Sequence, residues 1–211
     1  MGLSVRFWGV RGSIPSPGPE TARYGGNTPC VEIRAGGEVF IFDLGTGVRE
    51  LGAAAQGPLD ANIFLSHYHY DHLQGLPFFG PIFDPRSRFT IRGPTRNGRS
   101  VKEVLSGHMQ QPFFPVTVEM VFRAQLEYQG FEAGDRLKLS GVTVSAIEAN
   151  HPGGNLAYRV DTPGVKSFVR GISQGETLGV SIAQILRNLA LEMRKKRRAQ
   201  AEELAQKAPV K

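Results

Sequence analysis

Three of the five histidines and an aspartate lie within six consecutive residues, directly after the apolar segment 63–65. Imidazole and carboxylate groups favour zinc, iron or manganese, whereas calcium and magnesium prefer shells made of oxygen alone. Alternate side chains share one face at the end of a strand, so His67 and His69 could hold one ion. Asp71 and His72, beyond the turn, could face a neighbouring ion. A histidine-rich surface loop is the alternative, but this density of ligand-type residues behind a buried strand favours a metal site.

Two further candidates follow predicted strands elsewhere in the chain. His151 could add a third imidazole to the ion held by His67 and His69, which would give a three-ligand zinc site with an open position that activates water. Asp43 ends an apolar segment and could orient a ligand histidine from behind. A turn residue or an acidic residue at a helix N-terminus explains Asp43 equally well.

The elements that must position these residues are mostly short strands. Runs of β-branched and aromatic residues, separated by Gly, Pro and Asn, predict nine of them. The predicted strands cover residues 5–8, 30–34, 39–43, 62–66, 89–92, 116–122, 136–139, 142–149 and 156–160. Helices are expected at 48–55, near His72 and at 100–109. The expected class is therefore α/β, with strands predominating.

The character of the sequence changes near residues 165–172. Beyond this point apolar residues recur at spacings of three and four, which predicts a long amphipathic helix or a helix pair up to residue 207. The apolar face consists of Leu178, Ile182, Ile185, Leu186, Leu189 and Met193. We therefore expect two domains, 1–168 and 169–211, of which the second is a helical tail.

Composition and charge exclude several classes of protein. At 211 residues, 40% hydrophobic and 21% charged, the chain fits one globular domain rather than a disordered or fibrous protein. Residues 1–165 carry 15 basic and 15 acidic residues, so the net charge of +6 lies in 166–211 and gives no support to nucleic-acid binding by the first part. A single cysteine, Cys30, excludes a disulfide scaffold and favours the cytoplasm. We expect neither a signal peptide nor a membrane span.

The order and spacing of the candidate ligands resemble those of the metallo-β-lactamase fold hydrolases. The residues that carry this resemblance are Asp43, His67, His69, Asp71, His72 and His151. Segments 5–15 and 24–30 are similar to the branch that includes ribonuclease Z and bacterial cyclic-nucleotide phosphodiesterases. The resemblance covers residues 4–168 and implies an αββα sandwich with a dinuclear site at one edge. It also implies that a metal-activated hydroxide attacks a small-molecule or nucleotide phosphodiester, or an ester.

The resemblance implies a role for each candidate. His67, His69 and His151 would hold the first ion. Asp71 and His72 would begin the shell of the second ion. Asp71 is then the candidate catalytic residue, and Asp43 supports the ligands from behind. The expected cofactor is Zn²⁺, as one or two ions, with iron or manganese as alternatives.

The second half of the sequence departs from the family pattern. Family members have a later strand that ends in an aspartate bridging both ions, and a final histidine, whereas no Asp or His occurs after Asp161. We therefore expect an incomplete, truncated sandwich with a weakened or single metal site and impaired activity. An alternative is that the protein forms an oligomer in which a partner chain supplies the missing ligands.

The tail offers a resemblance of its own. Residues 172–211 are similar to the segment before the last membrane helix of type II secretion F-domain proteins of tight-adherence pili, and that membrane helix does not occur in this sequence. The junction at 166–171 is therefore interpreted as a fusion of two unrelated coding segments. Two functions stay open: a metal-dependent phosphodiester hydrolase, and a non-catalytic chimera or metal-binding protein joined to a secretion-system fragment.

Overall fold

The computed structural model describes residues 3–162 and the single positions 165, 191, 194, 195, 198, 199 and 202. The chain divides into two compact units, Met1–Val160 and Asp161–Lys211. Most of the helical tail predicted for 169–211 lies outside the described residues. None of the described helices is long and apolar enough to cross a membrane.

Two β-sheets form the framework of the first unit. The larger sheet contains, in spatial order, β1 (Ser4–Gly9), β2 (Cys30–Ala35), β3 (Glu38–Phe42), β4 (Asp60–Phe64), β5 (Arg88–Gly93) and β6 (Gln125–Gly130). The smaller sheet contains β7 (Arg136–Leu139), β8 (Val142–Ala149) and β9 (Asn155–Asp161). Strands β1, β2 and β3 pair antiparallel, whereas β3, β4, β5 and β6 run parallel. The carboxyl ends of four strands therefore meet at one edge, where open α/β sheets bind their ligands.

Short helices connect the strands of the larger sheet. They are α1 (Gly47–Ala54), α2 (Tyr70–Leu73), α3 (Val101–His108) and α4 (Val118–Val121), with 3₁₀ segments at Pro19–Thr21, Leu76–Phe78 and Gly80–Phe83. A capping box begins α3, in which the Ser100 hydroxyl accepts the Glu103 N–H and the Glu103 carboxylate accepts the Ser100 N–H. This reciprocal pair satisfies two of the backbone donors that the first turn leaves without partners.

Alternation along the central strands separates two apolar layers. Ile41 and Ile63 pack with the apolar residues of α1 and α3. Phe40 and Phe64, one position along each strand, pack instead between the two sheets. The central strands are therefore buried on both faces, which explains their near-continuous apolar sequences. The predicted α/β sandwich of two sheets is confirmed, and among the described residues the helices pack on the larger sheet.

The prediction of a strand over residues 116–122 is wrong, because these residues contain α4. A short apolar run fits a buried strand and a buried helix equally well, so periodicity alone could not decide. Strand β6 follows it and was not predicted. It contains no β-branched residue, and only Leu126 and Tyr128 alternate toward the core.

Candidate metal centre

The histidine motif, residues 67–72, lies where a backbone hydrogen bond connects the two sheets. It follows β4 at the edge where the parallel strands end. At the start of β9, Leu156 donates its backbone N–H to the Ser66 carbonyl at 2.9 Å. His151 lies in the turn just before β9, so this hydrogen bond brings it beside His67. Two segments far apart in sequence thereby share one site.

Close packing holds the turn after β3 against α2. The Leu44 N–H donates to the His72 carbonyl at 2.8 Å. A Cβ on Gly45 would lie 2.4 Å from the Asp71 carbonyl oxygen, well inside van der Waals contact. Only glycine fits at this position, which accounts for the glycine that follows the predicted strand. The turn and the histidine motif are therefore built as one unit.

His67, His69 and His151 form a single cluster. Each ring offers one nitrogen, and these three nitrogens lie within 4.8 Å of one another. The ring centroid of His67 is 4.5 Å from that of His69 and 4.6 Å from that of His151. His151 Nε2 lies 3.2 Å from His69 Nδ1. His67 is buried, His151 is half-buried and His69 is exposed, so one ion could bind all three rings and keep a side open to solvent.

The environment of His67 suits metal binding. Its Nδ1 lies 3.0 Å from the Ser66 hydroxyl, which leaves Nε2 as the nitrogen that could bind a metal ion. Burial, and after it the proximity of His72, lowers the pKa of His67 to about 4. The ring is therefore neutral at pH 7, as a metal-binding imidazole must be. The donor set fits a divalent transition metal ion.

The lowered pKa of His67 predicts acid sensitivity of the metal-free protein. The unfolded chain takes up a proton on His67 below about pH 6.5, whereas the folded chain resists it until about pH 4, so stability falls as the pH drops through this window. The expected loss is roughly 2–3 kcal/mol between pH 6.5 and pH 4. Urea unfolding of the parent and of His67→Gln at both pH values measures it. An equal loss in the two proteins would contradict the prediction.

Asp71 and His72 lie beside the cluster rather than within it. The ring centroid of His72 is 4.1 Å from that of His67. Its Nε2 is 3.5 Å from Asp71 Oδ2, and that oxygen also accepts the Ser13 N–H at 2.8 Å. The two groups therefore face each other, and their role in the shell of a second ion stays a prediction.

Asp43 lies behind the histidine motif and contacts Ser66, which precedes the motif, and His72 within it. At φ +61 it adopts a left-handed backbone conformation, and its side chain is almost fully buried. Its carboxylate accepts the N–H and the hydroxyl of Ser66, both at 2.8 Å, and contacts His72 Nδ1 at 2.8 Å. Burial opposes protonation of His72, but the hydrogen bond and the charge of Asp43 outweigh it and raise the pKa of His72. Asp43 thus contacts a candidate ligand, His72, as an orienting residue would.

Sequence reasoning missed Ser66 and Ser13. Ser66 directly precedes the histidine motif, so a hydroxyl within reach of the first ring could have been noted from the sequence. Ser13 reaches Asp71 through its backbone from a loop 58 positions earlier. A backbone donor carries no side-chain signal, so no local pattern could have indicated this contact.

Comparison with known proteins identifies relatives of this arrangement. A family model described as "Beta-lactamase superfamily domain" matches residues 40–185. The chain is 31% identical over 136 residues to ribonuclease Z of Pyrococcus furiosus, covering 62% of this chain and 42% of that protein. It is 28% identical over 187 residues to ribonuclease Z of Natronomonas pharaonis, covering 86% of this chain and 55% of that protein. The chain therefore spans about half of the length of these relatives.

Solved structures share the fold at low sequence identity. The metallo-beta-lactamase fold protein YhfI from Bacillus subtilis superposes with a TM-score of 0.54 at 17% identity, over 76% of this chain and 59% of that chain. The short form of human tRNase Z superposes with a TM-score of 0.50 at 19% identity, over 76% and 65%. These likenesses confirm the metallo-β-lactamase fold that the family resemblance implied.

Proposed function

Because the chain belongs to the beta-lactamase superfamily, we propose that it is a metal-dependent hydrolase of phosphodiester bonds. The observation that carries the proposal is the convergence of His67, His69 and His151, whose ring nitrogens lie within 4.8 Å of one another. These three residues would hold the ion, which we take to be Zn²⁺, with iron or manganese as alternatives. A bound ion of this kind supplies a nucleophile at neutral pH by lowering the pKa of water.

The residues of the chain would position and deprotonate the reactants. Ser66 holds Nδ1 of His67 and so presents Nε2 to the site. Asp43 does the same for His72, whose Nε2 faces Asp71. The Asp71 carboxylate is the candidate acceptor for a proton from the attacking water, and its Ser13 N–H contact holds one carboxylate oxygen in place. With His72, Asp71 would also begin the shell of a second ion.

Two substrate classes fit the proposal. The relatives named ribonuclease Z favour RNA. A small nucleotide phosphodiester is the alternative, because residues 1–165 carry equal numbers of acidic and basic residues and thus no excess of phosphate-binding charge. Hydrolysis of a structured RNA that is faster than that of a cyclic nucleotide, at equal phosphate concentration, would decide for RNA.

Turnover of bis(p-nitrophenyl) phosphate tests the hydrolase function. We expect hydrolysis that stops when a chelator removes the metal and returns when zinc, manganese or iron is added back. Calcium serves as the control, because an imidazole site discriminates against it. A fully metal-loaded protein without turnover would favour the alternative, a non-catalytic metal-binding protein or chimera.

We also propose the division at residue 168, with 169–211 as a helical tail of secretion-protein type, and a cytoplasmic location. Buried Cys30 supports the location, because a lone thiol persists in a reducing compartment. Limited proteolysis tests the division. We expect removal of 172–211 without loss of metal from the remaining domain.

A further inference from the structure

Arg96 lies at the same sheet edge as the imidazole cluster. It follows β5, which is the parallel neighbour of β4, and β4 leads into the histidine motif. Strand β6 pairs with β5 on the side away from β4, and it leads to Glu132 at the same edge of the sheet. The position is therefore that of a ligand-binding residue in an open α/β sheet.

The guanidinium of Arg96 has few partners. Its Nη1 donates to the Thr95 carbonyl at 3.0 Å and lies 3.7 Å from Glu132 Oε2. The other Glu132 oxygen already accepts the Thr95 N–H at 2.5 Å. Arg96 Nε is buried and has no hydrogen-bond partner among the described residues. A guanidinium has five N–H donors and buried donors are nearly always paired, so this side chain calls for a further acceptor.

A turn of two glycines connects Arg96 to the cluster. A Cβ on Gly154 would lie 3.2 Å from Arg96 Nη2, and a Cβ on Gly153 would lie 3.9 Å from His69 Nε2. Because adjacent Cα atoms are about 3.8 Å apart, Nη2 and this imidazole nitrogen are at most about 14 Å apart. The missing side chain at Gly154 leaves room for the Arg96 guanidinium, whose Nε would also lie 3.2 Å from such a Cβ. The Arg96 side chain is 26% exposed, so part of it is open to solvent although Nε is buried.

We propose that Arg96 binds a phosphoryl oxygen of the substrate beside the imidazole cluster, an inference that rests on the proposed function. The planar guanidinium presents paired donors that match two oxygens of a phosphate, which a lysine cannot reproduce. Arg96 then determines the preference for an anionic phosphodiester. A guanidinium carries only N–H donors and has no lone pair to offer a metal ion, so Arg96 would be a substrate-binding residue rather than part of the metal shell.

Steady-state kinetics of Arg96→Gln on bis(p-nitrophenyl) phosphate test this role. We expect KM to rise about 10-fold or more, as for the loss of a hydrogen bond to a charged group, with metal content and melting temperature unchanged. Arg96→Lys should reverse part of the rise in KM, because lysine restores the positive charge but not the paired N–H donors of the guanidinium. Arg99→Gln is the matched control, since it removes the same charge from the same turn and keeps the backbone bonds between residues 96 and 99.

Calorimetric binding of inorganic phosphate to the metal-loaded protein gives a second readout. We expect Arg96→Gln to weaken this binding by a similar factor. Unchanged KM and unchanged phosphate affinity would overturn the role of Arg96 while leaving the hydrolase function in place. Loss of metal or of folding in both Arg96 variants would overturn it too, since that result assigns Arg96 to the structure. A parent protein without turnover would refute the hydrolase function, and phosphate calorimetry would still decide the role of Arg96.

Discussion

Replacing His151 by alanine is expected to lower the affinity for the metal ion by at least about 100-fold, because even residues behind the ligands contribute 10- to 100-fold. The substitution removes one of three ring nitrogens that lie within 4.8 Å of one another. His151 is half-buried and precedes β9, so its loss leaves the apolar core between the sheets intact. Phosphodiester hydrolysis should fall by at least the same factor. Metal analysis after dialysis, together with kinetics, measures both effects.

His108→Ala is the matched control for this experiment. His108 ends α3 and its ring lies 5.7 Å from that of Tyr70, outside the imidazole cluster. We expect this variant to retain its metal and its turnover. If His151→Ala retained the metal as tightly as His108→Ala does, the two histidine segments would not share an ion and the proposed site would be wrong.

Replacing Asp43 by asparagine is expected to cost roughly 2–4 kcal/mol of stability, because a buried group would lose charge-assisted hydrogen bonds. The carboxylate accepts three contacts at 2.8 Å, two from Ser66 and one from His72. An amide can replace only part of them, since its NH₂ group donates. Asparagine tolerates the left-handed backbone at this position, so the loss reports the contacts rather than strain. Metal affinity should fall about 10- to 100-fold as the candidate ligand loses its support.

The pH dependence distinguishes this effect from general destabilisation. Asp43 raises the pKa of His72 in the folded protein. The contact between the two groups therefore stabilises the fold fully below about pH 6.5, and this contribution is lost as the pH rises through the pKa of His72 in the folded state. Asp43→Asn should abolish this dependence in the metal-free protein. Asp60→Asn, which alters an exposed carboxylate at the start of β4, should leave it unchanged. Urea unfolding between pH 6 and pH 8 measures it, and identical curves for both variants would refute the role of Asp43.

Most of the strands could be predicted because their buried faces require continuous or alternating apolar residues. The histidine motif could also be recognised, since its ligand-type residues lie close together in the sequence. Strand β6 was missed because its alternating apolar signal consists of only two residues, Leu126 and Tyr128, among Gln and Glu. The prediction of a strand at 116–122 failed for a different reason, since a short apolar segment fits both a strand and a helix.

Local sequence thus determined which residue types are present, the α/β class and the kind of ion that could bind. The sequence could only propose that His151 joins His67, and the tertiary structure places the two side by side, through the hydrogen bond from Leu156 to Ser66. The tertiary structure also decided which histidine Asp43 contacts, and that Arg96 lies across a glycine turn from His69. The physical reason is that composition and periodicity report burial and local conformation, whereas distances between remote segments depend on strand order and register.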